Sequence, residues 1–329
     1  MNERVLRGSE AGSPGGDAGT PGSEQVSRET CAVSTENERV LPENTPETAP
    51  FSLLISVYHK DTPAQLRRAL ESSVTEQQVR PAEVVLVRDG RVSASLQCEI
   101  ERLAGMLPCR VRLVELAKNG GLAAALQAGL AACSYDVVAR MDADDISLPQ
   151  RFARQWPVFQ RENLDLLGAG MVEFSGDAKN LGTRRVPPAG AAQVRKHART
   201  HNPCNHPTVM FRKAAVQAVG GYAEMGSMED YWLFVRLIHK GYKVDNLPEP
   251  LLLYNVGGVY GRRGGLKAAL TELRLQREMR KIGFITVWEY IFNSALKSAY
   301  RLFPANLKRA IFTRFVAGGL PGEKRKNSA

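Results

Sequence analysis

The chain has 329 residues, 43% of them hydrophobic, which is enough for one large core with appendages. Its five cysteines (Cys31, Cys98, Cys109, Cys133 and Cys204) are scattered and lack C-x-x-C spacing, which excludes a disulfide scaffold and fits a reducing compartment. The net charge of +10 is concentrated in residues 258–329, where 15 Lys and Arg face four acids; no nucleic-acid-binding motif accompanies this basic tail, so no nucleic acid is expected as a partner.

Residues 1–49 are rich in Gly, Pro, Ser, Thr and Glu and contain no aromatic residue. This composition predicts a disordered leader, and without an apolar h-region it does not read as a signal peptide. No apolar run reaches 18 residues without a charge, so no transmembrane span is expected. From Phe51 to Tyr58 the run FSLLISVY predicts a buried parallel strand. Thr62 and Pro63 then cap and open a helix whose apolar face is Leu66, Leu70 and Val74. Glu83–Val87 is a second strand ending at the turn Arg88-Asp89-Gly90. A helix over 96–107, a strand over 110–116, the loop 118–121 and a helix over 122–133 follow. The next strand ends in Val137, Val138 and Ala139 and runs into Asp142.

Three carboxylates lie within four residues here: Asp142, Asp144 and Asp145. Two Asp spaced i, i+2 at a strand end can both bear on one hard cation, Mg²⁺ or Mn²⁺, whose remaining ligands are substrate phosphates and water. Pro149 then opens an amphipathic helix. The β-α-β-α-β-α-β order predicts an α/β fold, an open and mostly parallel sheet with helices on both faces. Ligands of such sheets bind beyond the strand C-termini at the switch point, where these polar residues gather. The loop after the first strand carries no G-x-G-x-x-G, and no P-loop occurs, which excludes a dinucleotide enzyme and a P-loop NTPase. A dehalogenase-like phosphatase would need D-x-D-x-[TV] near the first strand, and neither condition holds.

In the second half, residues 164–174 predict a strand and 191–200 a helix. His197 and His201 are spaced to share a helix face toward Zn²⁺, with Cys204 and His206 close behind, but Asn202-Pro203 breaks the helix and no second ligand pair follows. Residues 228–239 predict a helix with Glu229 and Asp230 in its first turn, where acids suit the helix dipole. Trp232, Phe234 and Leu237 are expected in the core, and Arg236 either near a diphosphate or paired with an acid. Short strands are expected over 243–246 and 251–254, then a Gly-rich basic loop over 254–263. From Lys267 the chain reads as helical and basic. Trp288, Tyr290 and Tyr300, with Arg301, Lys308, Arg309 and Arg314, suit a cationic amphipathic helix pair at a membrane surface; a hairpin packed on the main domain or on a second subunit remains the alternative. The expected organisation is therefore a leader over 1–49, one domain over 50–257 and a basic helical region over 258–329.

Residues 51–256 resemble a family 2 glycosyltransferase of the GT-A fold, of the kind found in bacterial lipopolysaccharide, capsule or exopolysaccharide synthesis. The resemblance is carried, in order, by LLISVYHKDTPAQLRRALES, VVLVRDG, KNGGLAAALQAGL, VVARMDADDISLPQRF, NHPTVMFRKAAVQAVGGY and MEDYWLFVRLIHKGY. It implies that Val57 and Tyr58 line the nucleotide pocket, that Asp89 meets the base, and that Asn119 and Gly120 lie near the nucleotide. Asp142 would reach the ribose or the metal, and Asp144 the metal on the diphosphate. Asp230, with Glu229 beside it, would be the catalytic base, and His206 would lie near the sugar diphosphate or the acceptor. Where the family has V-D-D-G-S, this chain has Arg88, Asp89, Gly90 and Arg91. The implied activity is an inverting, Mg²⁺- or Mn²⁺-dependent hexosyl or N-acetylhexosaminyl transfer from a nucleotide-sugar, UDP-linked, to a growing cell-surface glycan or a lipid-linked acceptor. The implied location is the cytoplasm, peripheral to the inner face of the cytoplasmic membrane. A catalytically inactive scaffold of the same fold is the alternative.

Overall fold

In the computed structural model, which describes residues 2–5, 47–257 and 266–302, the apolar run after residue 50 lies in the middle of a large sheet. The first half comprises β1 (Asn2–Val5), β2 (Glu47–Val57), α1 (Pro63–Leu70), β3 (Val79–Asp89), α2 (Ala94–Met106), β4 (Arg110–Leu116), α3 (Leu122–Ala132) and β5 (Val137–Asp142). The second comprises β6 (Ile146–Ser147), α4 (Arg151–Arg161), β7 (Leu166–Ser175), β8 (Asp177–Arg185), α5 (Ala191–Ala198), β9 (Met210–Arg212), α6 (Lys213–Ala218), α7 (Glu229–His239) and β10 (Val244–Asn255). A helical pair, α8 (Leu266–Lys281) and α9 (Val287–Leu302), follows.

The strand order is β1-β4-β3-β2-β5-β9-β7-β10-β6, with β8 folded back on β7. From β4 to β5 every pair is parallel. The chain leaves β2 toward one edge through β3 and β4, then returns to its other side at β5, which makes the C-terminal ends of β2 and β5 the switch point. Beyond β5 the sheet is mixed: β9 is antiparallel to both β5 and β7, and β10 runs parallel to β7.

Side-chain alternation along β2 divides the core between the two faces. Leu53, Ile55 and Val57 pack with Leu66, Leu96, Ile100 and Phe152 on one face, and Leu54 packs with Val85, Val87 and Leu126 on the other. Burial on both faces explains the unbroken apolar run. On α1 the cap is reciprocal, with Thr62 accepting from the Gln65 amide and Gln65 from the Thr62 amide. Helix α3 lies against the sheet at Gly129, where a Cβ would collide with Leu54 and Val87.

Four differences from the sequence reading have local causes. The leader is strand at both described ends: Asn2–Val5 adds antiparallel to β4, and Glu47 to Ala49 begin β2 against Val79–Pro81. Residues 6–46 lie outside the described part. Strand β8 was not expected, because DAKNLGTRR is mostly exposed and shows no apolar alternation; it is held by its pairing with β7. Strands β6 and β9 span two and three residues, too few for a period. The two short strands expected over 243–254 are one strand, β10, whose register with β7 shifts around Leu247 and Pro250.

The described part of the basic region shares the main core. Leu275, Met279, Phe284 and Ile285 are buried with residues of α7, and Arg199 pairs with Glu289. Bonds between Lys297 and Glu272 and between Asn293 and Gln276 set α8 and α9 antiparallel. Residues 258–265, which include most of the expected Gly-rich loop, lie outside the described residues, as do Lys308, Arg309 and Arg314.

Candidate active site

Strand β5 ends at the switch point and delivers the acidic cluster there. Asp142 and Asp144 are half-buried, and Asp145 is fully buried. Arg140, two residues earlier and therefore on the same side of the strand, is also buried, and its Nη2 bonds Asp142 Oδ1. Asn255 at the end of β10 reaches back, its Nδ2 donating to Asp144 Oδ2 (3.4 Å) and its amide to Asp145 Oδ1 (2.8 Å). Burial and the fields of Asp142 and Asp144 hold the Asp145 carboxyl well above the usual carboxylate range.

Helix α7 brings in the second group. Asp230, half-buried, accepts from Asn202 Nδ2 (2.8 Å) and from the Tyr231 amide (2.7 Å). Glu229 is buried; desolvation first, and Asp230 second, push its carboxyl up to about 7. Burial first, and then the fields of Asp230, Glu229 and Asp142, push the Tyr222 hydroxyl up while Arg140 opposes them, so both acidic groups lie close enough to act on it. Tyr222 also takes its place against His206, with Nε2 and the hydroxyl 3.1 Å apart. Burial and the Arg140 charge keep His206 well below its ordinary pKa, so it is neutral at pH 7.

Other expected residues have structural duties. Asp89 is buried and spends one oxygen on each of two amides, Gly120 (2.7 Å) and Gly121 (3.0 Å), while its carbonyl accepts from Asn119 Nδ2 (3.3 Å). Those bonds tie β3 to the N-terminus of α3. Gly90 is required beside them, because it sits at φ +81° and a Cβ there would press on the Asn119 amide. Arg88, in place of a family acid, pairs with Glu115 and Gln97. The Val57 side chain is in the core, so only its backbone faces the edge; the Tyr58 amide is held by Asp61. Trp232, Phe234 and Leu237 are core residues as expected. Arg236 pairs with no acid among the described residues: it donates to the carbonyls of Val219, Gly221 and Trp232. His197 and His201 stack with ring centroids 5.1 Å apart, while His206 is on Tyr222.

Among the described residues no three His, Cys, Asp or Glu side chains are gathered as a metal cage. The two half-buried carboxylates of Asp142 and Asp144 are hard oxygen donors, and they fit a cation that completes its shell from a diphosphate and water. Sequence reasoning passed over Arg140, Asn202, Tyr222 and Asn255. A signal existed for Arg140, an arginine inside an apolar strand run, since buried charge is placed only where it is paired. The others are unremarkable polar residues in the sequence, and only the fold brings them to the site.

Residues 52–220 match the family model described as Glycosyl transferase family 2. The chain is similar to an uncharacterized glycosyltransferase of Haemophilus influenzae (36% identity; 81% of this chain and 98% of that protein covered). It is also similar to the amylovoran biosynthesis glycosyltransferase AmsE of Erwinia amylovora (38%; 80% and 98%). A third relative is the UDP-Gal:alpha-D-GlcNAc-diphosphoundecaprenol beta-1,3-galactosyltransferase of Escherichia coli (32%; 82% and 98%). Among solved structures, S. aureus TarS 1–349 superposes with a TM-score of 0.55 at 15% identity, covering 81% of this chain and 75% of that one. The Pyrobaculum calidifontis mannosyltransferase PcManGT, in complex with GDP-Man and Mn²⁺, gives 0.54 at 14%, covering 87% and 85%. The matched family region ends ten residues before Asp230.

Proposed function

Because the chain belongs to glycosyl transferase family 2, and is a glycosyltransferase of the GT-A fold, we propose that it moves a sugar from UDP to a saccharide acceptor with inversion, aided by Mg²⁺ or Mn²⁺. The observation that carries this reading is the meeting of two acidic groups at one edge, Asp142 with Asp144 and Glu229 with Asp230, around Tyr222. Asp230 is held by Asn202 and its neighbour's amide in an orientation from which it can accept the proton of an acceptor hydroxyl. Glu229, buried and shifted upward, carries a proton for much of the time near pH 7, so Asp230 does not face a full second negative charge. Asp142 and Asp144 would hold the cation, which supplies charge neutralisation at the leaving diphosphate. Arg140 holds Asp142 in place from beneath.

The acceptor in this reading is a growing surface glycan or its lipid carrier, since two relatives are named for amylovoran and for a diphosphoundecaprenol substrate. No helix among the described residues is long and apolar enough to cross a membrane. The outward face of α9 carries Trp288, Ile291, Phe292 and Leu296, all at least half exposed, which supports a peripheral position on the inner leaflet for a cytoplasmic protein. Calorimetric titration with UDP, GDP, CMP and ADP, each with and without Mn²⁺, tests the donor site. Mn²⁺-dependent UDP binding that is lost in Asp144→Ala is the expected result. Folded protein that binds none of them would favour an inactive scaffold.

A further inference from the structure

The first strand of the sheet carries a sequence that the chain contains twice. Asn-Glu-Arg-Val-Leu stands at residues 2–6 and, unchanged, at residues 37–41. The first copy supplies β1, which pairs antiparallel with β4 from Asn2 opposite Glu115 to Val5 opposite Arg112. The other side of β4 is on β3, so among the described residues β1 alone covers the outer edge of the parallel half. An uncovered edge presents a row of backbone donors and acceptors to any strand that fits it. Two copies of one sequence offer that edge the same residues in the same order.

The two copies differ in what they can reach. Val5, Arg112, Val85 and Leu54 are level across four neighbouring strands. Glu47, where β2 begins, is level with Val79, six residues before Val85 on β3. A copy at 37–41 in the β1 register would end one residue beyond the level row, three strands away from β2. With about 4.8 Å between strands and about 3.3 Å per residue, roughly 22 Å separates that end from Glu47. The six steps of chain from residue 41 to Glu47 span at most about 21 Å, and the direct line crosses β3. The second copy therefore cannot take the β1 register on its own molecule. The first copy can, because residues 6–46 join it to β2.

We propose that the outer edge of β4 docks a second copy of this chain, which adds its residues 37–41 in the place that Asn2–Val5 otherwise fill. The partner's strand makes the backbone bonds that β1 makes, and a twofold arrangement lets each molecule give one strand and receive one. The copy at 2–6 is the competitor: tethered to the molecule whose edge it covers, it acts at an effective concentration on the order of millimolar. The edge is therefore closed in the dilute chain, and it opens to the partner when residues 2–6 are withdrawn. Strand β4 lies three strands from β5, so this docking site is separate from the candidate active site and stands apart from the transferase reading.

The test removes the competitor. The full chain and a chain lacking residues 2–6 are compared by sedimentation at micromolar concentrations. The shortened chain is expected to dimerise at least tenfold more tightly than the full chain. Arg4→Pro with Val5→Pro opens the edge without shortening the chain and is expected to behave as the deletion does. Arg39→Pro with Val40→Pro is then added to the shortened chain. Neighbouring amides in a strand point to opposite sides, so this pair removes a donor that faces β4 in any register. It is expected to return the shortened chain to a monomer. A labelled peptide of residues 36–42 supplies the second readout. By fluorescence anisotropy it binds the shortened chain carrying Arg39→Pro and Val40→Pro at least tenfold more tightly than it binds the full chain, and a scrambled peptide does not. Circular dichroism and the thermal midpoint check that each variant is folded. Opened chains that stay monomeric and leave the peptide unbound overturn the proposal. So does a dimer that survives Arg39→Pro with Val40→Pro, which assigns the contact to another surface such as the exposed face of α9. Equal binding of the native and scrambled peptides also overturns it, because the edge then takes any strand.

Discussion

Arg140 shows how a single buried charge can organise a site. Its Nη2 is on Asp142, while among the described residues Nε and Nη1 have no hydrogen-bond partner, and the buried acceptors Asp145 Oδ2 and Glu229 Oε2 likewise lack one. The guanidinium lies in the fields of Asp142, Tyr222 and Asp145, and it is the cation that offsets carboxylates belonging to both halves of the site. Removing one member of a buried pair costs on the order of 3–5 kcal/mol, because the remaining charge stays desolvated. Arg140→Met is therefore expected to lower the unfolding free energy measured by urea denaturation by an amount in that range, and an unfolding free energy equal to the parent's would show that the charge is not needed. Glu229 gives a second prediction, with a definite sign. Its carboxyl ionises near 4.5 when unfolded and near 7 when folded, so the folded state holds the extra proton between those values. Its stability contribution is complete below about pH 4.5 and is lost as pH rises through about 7, up to about 3 kcal/mol at 1.36 kcal/mol per pKa unit. Urea midpoints measured from pH 5 to 8 should fall with pH in the parent, and fall less steeply in Glu229→Gln.

At the scale of elements, two contacts decide where helices sit. Helix α3 approaches the sheet through Gly129, and Gly129→Val would drive methyl groups into Leu54 and Val87. Overpacking of this kind costs about 1–3 kcal/mol, which thermal denaturation would report as a lower Tm. The α8–α9 hairpin is fastened through Arg199, whose side chain binds Glu289 and whose carbonyl accepts from the buried Asn293 (2.9 Å). The Arg199 guanidinium holds the Glu289 carboxyl down to about 2, so the pair's contribution is present above about 4.5 and is lost as pH falls through about 2. At pH 7, Arg199→Ala should speed amide exchange in α9 about tenfold while leaving β2 and β5 unchanged; equal acceleration in all three would mean a global rather than local loss.

Over the whole molecule, the doubling back of the chain at β2 and β5 creates the site, and the mixed half of the sheet closes it by bringing Asn255 and, through α7, Asp230 to the same edge. Ligand that binds only the folded state stabilises it by about 2.7 kcal/mol at a hundredfold excess over Kd. UDP with Mn²⁺ at that excess should raise the Tm of the parent and leave that of Asp144→Ala where it was. A rise of the same size in the variant would show that Asp144 does not hold the cation.

The sequence by itself determined the parallel half of the fold and the location of the acidic cluster. Strands buried on both faces must be continuous apolar runs, a helix follows each one along the chain, and the polar residues after the strands have only one edge to occupy; all of this is local pattern. Strands β6, β8 and β9 were not legible, being too short or too exposed to carry a period, and they form because a neighbouring strand offers its free edge. Only the tertiary structure decided that Asp89 ties β3 to α3 with both its oxygens, that Val57 faces the core, and that Arg236 binds carbonyls. It also decided that the basic C-terminal helices share the main core. These outcomes depend on which distant groups desolvation brings into contact, and neither spacing nor composition records that.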